Sequence, residues 1–143
     1  RSERLARPKR VQCHRRGVSM ANILLVEDSP EVSMTVREIL DSAGHKVAQA
    51  VNGNEALSQL KAGRFDLVVS DIWMPEMDGI ALLKAIRSAG NAIPVVVISG
   101  GAPNAPLTYT APLASTFGAN EVIYKPFEKR ELLDAVKRAL APA

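Results

Sequence analysis

The chain has 143 residues, of which 47% are hydrophobic and 23% are charged. This composition is typical of one globular domain and excludes collagen-like, mucin-like and disordered chains. A single cysteine excludes an internal disulfide. The longest strongly apolar runs, 23–26 and 95–98, are far shorter than the roughly 20 residues that a membrane helix needs, so we expect a soluble, cytoplasmic protein with no membrane partner.

The charge is distributed unevenly along the chain. Residues 1–19 contain seven basic side chains and one acidic side chain, whereas residues 20–143 carry a net charge of −3. The first 19 residues also lack sustained apolar periodicity, which is typical of a flexible segment. We therefore predict a basic arm over 1–19, outside the fold, and one domain over 20–143. Any contact with nucleic acid is expected to involve the arm alone.

From residue 22 onward, short apolar runs rich in β-branched residues alternate with longer amphipathic segments, which indicates βα units on a parallel sheet. Ser29 followed by Pro30 is typical of a helix start, while Gly44, Gly63 and Gly90 stand where helices should end. After the first, second, third and fifth strands, apolar residues recur at the spacing of a helix. The five predicted strands are Ile23–Val26, Lys46–Ala50, Leu67–Ser70, Val95–Ile98 and Glu121–Tyr124.

The segment between the fourth and fifth strands is rich in Gly and Pro, which leaves little room for a long helix. We expect a loop there, followed by a short helix over Thr110–Phe117. The fold class is α/β: a flavodoxin-like, doubly wound, five-stranded parallel sheet in the order 2-1-3-4-5, with helices on both faces.

Ligands of such sheets bind beyond the carboxyl ends of the strands. Polar residues at these ends are Glu27 and Asp28 after the first strand, Asp71 after the third, Ser99 after the fourth and Lys125 after the fifth. In the predicted strand order, all five share one edge. Three neighbouring carboxylates repel one another unless a cation neutralises them, and oxygen-only ligands favour Mg²⁺.

The remaining residues at this edge favour phosphoryl chemistry. Lys125 offers a compact positive charge and Ser99 a hydroxyl, both suited to a phosphoryl oxygen. Asp71 ends a buried strand and precedes a turn containing Pro75, so its carboxylate is the candidate nucleophile that would carry an acyl phosphate.

Four motifs, ILLVEDS, LVVSDIWMPEMDG, PVVVISG and YKPF, occur in order over residues 21–140. With them the chain resembles the receiver domain of bacterial two-component response regulators. The resemblance implies that Asp71 accepts a phosphoryl group from a sensor histidine kinase or a histidine phosphotransfer protein. It also implies that Ser99 and Lys125 contact that group. The implied Mg²⁺ ligands are the side chains of Glu27, Asp28 and Asp71 and the backbone carbonyl of Trp73.

The same resemblance implies a two-state switch, in which phosphorylation repacks a face that docks a downstream protein. Two features depart from the family pattern. Val122 stands three residues before Lys125, where the family commonly has Tyr or Phe, and Tyr124 is not at that position. The loop after Ser99 is also longer and richer in Pro than usual. We therefore expect the phosphorylation chemistry of the family but an atypical readout.

Other functional classes fit the sequence less well. An aspartyl phosphatase would need a second Asp two residues after the first, where this chain has Trp73. A flavin carrier would have a Ser/Thr-rich phosphate loop in place of Glu27 and Asp28, and no Walker motif GxxxxGK[ST] is present. We predict a signalling module rather than an enzyme, with no output domain in this chain, acting as a monomer or weak dimer.

Overall fold

The computed structural model describes residues 20–72, 79–99 and 118–141. Within them lie five strands: β1 (Asn22–Val26), β2 (Lys46–Ala50), β3 (Leu67–Asp71), β4 (Val95–Ser99) and β5 (Glu121–Tyr124). The helices are α1 (Pro30–Ser42), α2 (Gly53–Ala62), α3 (Gly79–Ser88) and α4 (Lys129–Leu140). All strand pairs are parallel, in the order β2-β1-β3-β4-β5, which confirms the predicted fold class and strand order.

The strands carry the apolar pattern expected of a sheet that is covered on both faces. Every residue of β3 and β4 is buried, as are four of the five residues of β1, whereas the edge strands β2 and β5 are only partly buried. Alternate side chains point to opposite faces and form two apolar clusters. The first cluster packs under α1 and α4, and the second under α2 and α3.

The helix boundaries follow local capping chemistry. The Ser29 hydroxyl accepts a hydrogen bond from the Val32 N–H at 3.4 Å, and Asn52 Oδ1 accepts one from the Glu55 N–H at 2.8 Å. Gly44 and Gly90 follow α1 and α3 with φ of +92° and +79°, a backbone conformation that favours glycine. The predicted start of the first helix and the predicted glycine stops are therefore confirmed.

Two strands end one residue later than predicted, and β1 begins one residue earlier, at Asn22. Asp71 and Ser99 were expected to follow their strands, but each is the last residue of its strand. The ladder continues one residue further than the apolar run because the Ile72 N–H still bonds the Ile98 carbonyl at 3.1 Å. The basic arm, the loop after Ser99 and the short helix over Thr110–Phe117 lie outside the described residues.

Candidate functional site

Three carboxylates converge at the carboxyl ends of β1 and β3. Glu27 and Asp28 directly follow β1, and Asp71 ends β3, which pairs with β1 in the sheet. One carboxylate oxygen from each of the three lies within 4.8 Å of the others. Glu27 and Asp71 are 4% and 5% exposed, while Asp28 is open to solvent. The parallel topology therefore builds an acidic cluster of two buried carboxyls and one exposed carboxyl.

The carboxylate of Asp71 is held by two contacts. Its Oδ1 accepts a hydrogen bond from the Ile72 N–H at 3.0 Å and lies 3.6 Å from the Lys125 Nζ. Lys125 follows β5 and is joined to Pro126 by a cis peptide bond, and its own N–H bonds the Ser99 carbonyl at 2.9 Å. The ammonium group of Lys125, which follows the edge strand β5, thus lies near the carboxylate that ends the central strand β3.

The surroundings of Glu27 disfavour its ionised form. Its Oε2 accepts one hydrogen bond, from the Ser29 N–H at 3.2 Å, while no described residue bonds its buried Oε1. Burial, followed by the charge of Asp71, raises the pKa of Glu27 from 4.5 to about 7, against the lowering effects of the Ser29 N–H and Lys125. The role of Ser29 in orienting Glu27 was missed by sequence reasoning, which assigned this residue only as a helix cap.

Burial also raises the pKa of Asp71 above its ordinary value, although Lys125 and the Ile72 N–H act in the opposite direction. The ionised forms of Glu27 and Asp71 are therefore disfavoured for the same reason, because each charge is poorly solvated and lies beside another acid. A cation bound among them would relieve both effects.

Ser99 lies one strand further along the same edge. It is fully buried and ends β4, whose Ile98 pairs with Asp71 in the ladder. Tyr124 pairs with Ser99 and is 44% exposed, whereas Val122 is half-buried against the apolar cluster under α2 and α3. The aromatic side chain of β5 is thus that of Tyr124, the last residue of the strand, and not one at position 122. Trp73, predicted to supply a backbone carbonyl, lies outside the described residues.

Comparison with known proteins identifies the family to which this fold belongs. The family model described as the response regulator receiver domain matches residues 23–137, which include Glu27, Asp28, Asp71, Ser99 and Lys125. The chain belongs to this receiver domain family. The receiver domain is a signalling domain rather than a canonical enzyme.

Relatives of this receiver domain include regulators with much longer chains. The transcriptional regulatory protein PrrA of Mycobacterium tuberculosis is 36% identical over 124 residues, which are 87% of this chain and 52% of PrrA. The transcriptional regulatory protein DltR of Streptococcus agalactiae is 31% identical over 115 residues, 80% of this chain and 50% of DltR. The chain therefore spans about half the length of these curated relatives.

Solved structures show the same architecture. The chemotaxis response regulator CheY4 of Vibrio cholerae superposes with a TM-score of 0.75 at 31% identity, covering 85% of this chain and 100% of that chain. The signal receiver domain of a histidine kinase from Syntrophus aciditrophicus gives a TM-score of 0.74 at 34% identity, covering 84% of this chain and 89% of that chain.

None of the helices in the described part of this receiver domain is long and apolar enough to cross a bilayer.

The residues of the acidic cluster fit a hard divalent cation such as Mg²⁺. All of the donors are carboxylate oxygens, which Mg²⁺ prefers, and they lie close enough together to share one ion. The buried Glu27 Oε1, which lacks a partner among the described residues, is a further sign that the site is built for a ligand.

Proposed function

We propose that this receiver domain accepts a phosphoryl group on Asp71 from the phosphohistidine of a sensor histidine kinase or a histidine phosphotransfer protein. The observation that carries the proposal is the position of the Asp71 carboxylate. It is nearly buried at a strand end, oriented by a backbone N–H, 3.6 Å from an ammonium group and beside two further acids. This arrangement suits nucleophilic attack on a group that is itself an anion.

The transfer forms one bond and breaks one. A carboxylate oxygen of Asp71 attacks the phosphorus atom, the bond from phosphorus to the imidazole nitrogen breaks, and that nitrogen keeps the electron pair and later takes up a proton. The Ile72 N–H restricts rotation of the carboxylate, because it bonds Oδ1 at 3.0 Å. Orientation of this kind lowers the entropic part of the barrier.

The proposed Mg²⁺ ligands are the side chains of Glu27, Asp28 and Asp71 and the backbone carbonyl of Trp73. When bound, Mg²⁺ offsets the charge of the cluster and the charge that develops on the phosphoryl oxygens. Lys125 contributes a second positive charge, and its ammonium group lies near enough to Asp71 to contact a phosphoryl oxygen attached there. We assign to Ser99 the hydroxyl that contacts the same group from β4.

Phosphorylation adds charge where four strands end, β1, β3, β4 and β5, and this charge can bias a two-state surface for a downstream protein. Since Val122 replaces the usual aromatic residue, we propose that this readout differs from that of most receivers. We further propose that residues 20–143 form the receiver unit and 1–19 an arm, which alone would touch nucleic acid. We also propose that the protein acts in the cytoplasm, as a monomer or weak dimer, by binding other proteins.

Acetyl phosphate tests the proposal without a cognate kinase. Incubation with acetyl phosphate and Mg²⁺ is expected to add one phosphoryl group, detected by intact mass, and chelation of Mg²⁺ should prevent the addition. Asp71→Asn should gain none, while Asp134→Asn, which changes an exposed acid on α4, should behave like wild type. Equal labelling of Asp71→Asn and wild type would overturn the assignment.

A further inference from the structure

Helix α3 begins unusually close to the strand that carries Asp71. A methyl group placed on the Cα of Gly79 would lie 2.4 Å from the Asp71 carbonyl oxygen and 2.8 Å from the Ile72 Cα. Both atoms belong to the backbone, so neither can rotate away. Because non-bonded carbon atoms are at their best separation about 3.5–4.0 Å apart, a side chain here would force the helix or the strand end to move by about 1 Å.

Two hydrogen bonds connect this close approach to the carboxylate. The Gly79 N–H donates to the Ile72 carbonyl at 2.7 Å, and the Ile72 N–H is shared between the Ile98 carbonyl of the ladder at 3.1 Å and Asp71 Oδ1 at 3.0 Å. Ile72 is also anchored by its side chain, which is 1% exposed and packs in the apolar cluster that contains Leu82 and Leu83 of α3. The backbone around Ile72 therefore lies between the helix start and the carboxylate.

We propose that Gly79 is a positioning residue for Asp71. The missing side chain lets α3 seat against the end of β3, and this seating fixes the Ile72 backbone that orients the Asp71 carboxylate. The inference deepens the proposed function and rests on it. Sequence reasoning could not find this role, because a close approach between two backbones leaves no signal in a single sequence.

The test compares Gly79→Ala with Gly63→Ala in the full chain. Gly63 also stands at a helix boundary, but a methyl group there would meet nothing closer than 3.6 Å. A displacement of about 1 Å at a reacting group can cost about a hundredfold in rate, so we expect Gly79→Ala to slow phosphorylation by acetyl phosphate about ten- to a hundredfold at saturating Mg²⁺. Mg²⁺ affinity, measured by calorimetry, should also weaken, and Gly63→Ala should match wild type in both.

A purely structural role would give a different result. It would lower the urea midpoint of Gly79→Ala but leave its Mg²⁺ affinity, its phosphorylation rate and the amide shift of Ile72 as in wild type, and this outcome would overturn the proposal. If wild type itself takes up no phosphate, the proposed function fails. The Mg²⁺ affinities and the Ile72 amide shifts of the two variants still decide the positioning role.

A second measurement covers the case in which Gly79→Ala does not fold. Amide hydrogen exchange of wild type should show that the N–H groups of Gly79 and Ile72 are protected, and that Mg²⁺ with beryllofluoride, a phosphoryl mimic, slows their exchange further. Exchange at either group as fast as at exposed amides, or no added protection, would contradict the proposal.

Discussion

Replacing Glu27 with Gln should stabilise the metal-free protein at neutral and alkaline pH. The Glu27 side chain is almost fully buried, no described residue bonds its Oε1, and it lies beside Asp71. Gln has nearly the same shape but no charge. The substitution therefore removes the cost of an ionised carboxyl in this place while leaving the packing in order.

The size of the effect follows from the pKa of Glu27, which rises from 4.5 to about 7 in the folded protein. Between these two values the unfolded chain has released its proton while the folded protein still holds it, so the free energy of unfolding falls as pH rises. Above pH 7 the loss is constant. One pKa unit corresponds to about 1.4 kcal/mol, so the full loss is about 3 kcal/mol.

Urea unfolding in the presence of a chelator, at several pH values from 4.5 to 8, measures this loss directly. Glu27→Gln and wild type should be nearly equally stable at pH 4.5, and the variant should be more stable by about 3 kcal/mol at pH 8. Glu38→Gln changes an exposed acid on α1 and should follow wild type throughout. Saturating Mg²⁺ should stabilise wild type much more than Glu27→Gln.

A failure of Glu27→Gln to stabilise the protein would contradict this reasoning. If metal-free Glu27→Gln were no more stable than wild type at pH 8, the carboxyl of Glu27 would not be ionised in a poorly solvated cluster. The electrostatic account of the site would then be wrong.

Three further predictions concern Lys125, Arg87 and Asn52. Lys125→Met should raise the pKa of Glu27 above about 7, since Lys125 lowers it, and carbon-13 NMR titration of the carboxyl would show no rise if the two groups were uncoupled. Arg87→Ala should cost about 2 kcal/mol in urea unfolding because the guanidinium bonds the carbonyls of Ile93 at 2.6 Å and Gly118 at 2.8 Å. Arg64→Ala, at an exposed position, should cost less than about 0.5 kcal/mol, and equal losses would contradict that role. Asn52→Ala should cost about 1 kcal/mol through loss of the α2 cap, and an unchanged midpoint would show that the cap contributes nothing.

Much of the fold was predictable because its determinants are local. Runs such as 95–98 are apolar and β-branched, so they indicate buried strands, and Ser29 with Pro30 marks a helix start through its own chemistry. The strand order is one of the common orders of doubly wound parallel sheets, and it brings Glu27, Asp28 and Asp71 to one edge.

The rest depends on distances that no local pattern encodes. Arg87 bonds the Gly118 carbonyl, 31 residues away, and also Asn120, and nothing around Arg87 in the sequence distinguishes it from a surface arginine. The close approach of Gly79 to Asp71 is of the same kind. Such contacts form only after the helices have packed on the sheet, and they depend on how each helix is positioned there.

Reductive trapping of the phosphorylated protein tests the central claim most directly. Borohydride converts an aspartyl phosphate to homoserine, so the protein is incubated with acetyl phosphate and Mg²⁺, reduced, digested and sequenced by mass spectrometry. The account predicts homoserine at position 71 and at no other aspartate. Homoserine elsewhere, or none in protein whose intact mass shows an added phosphoryl group, would contradict it.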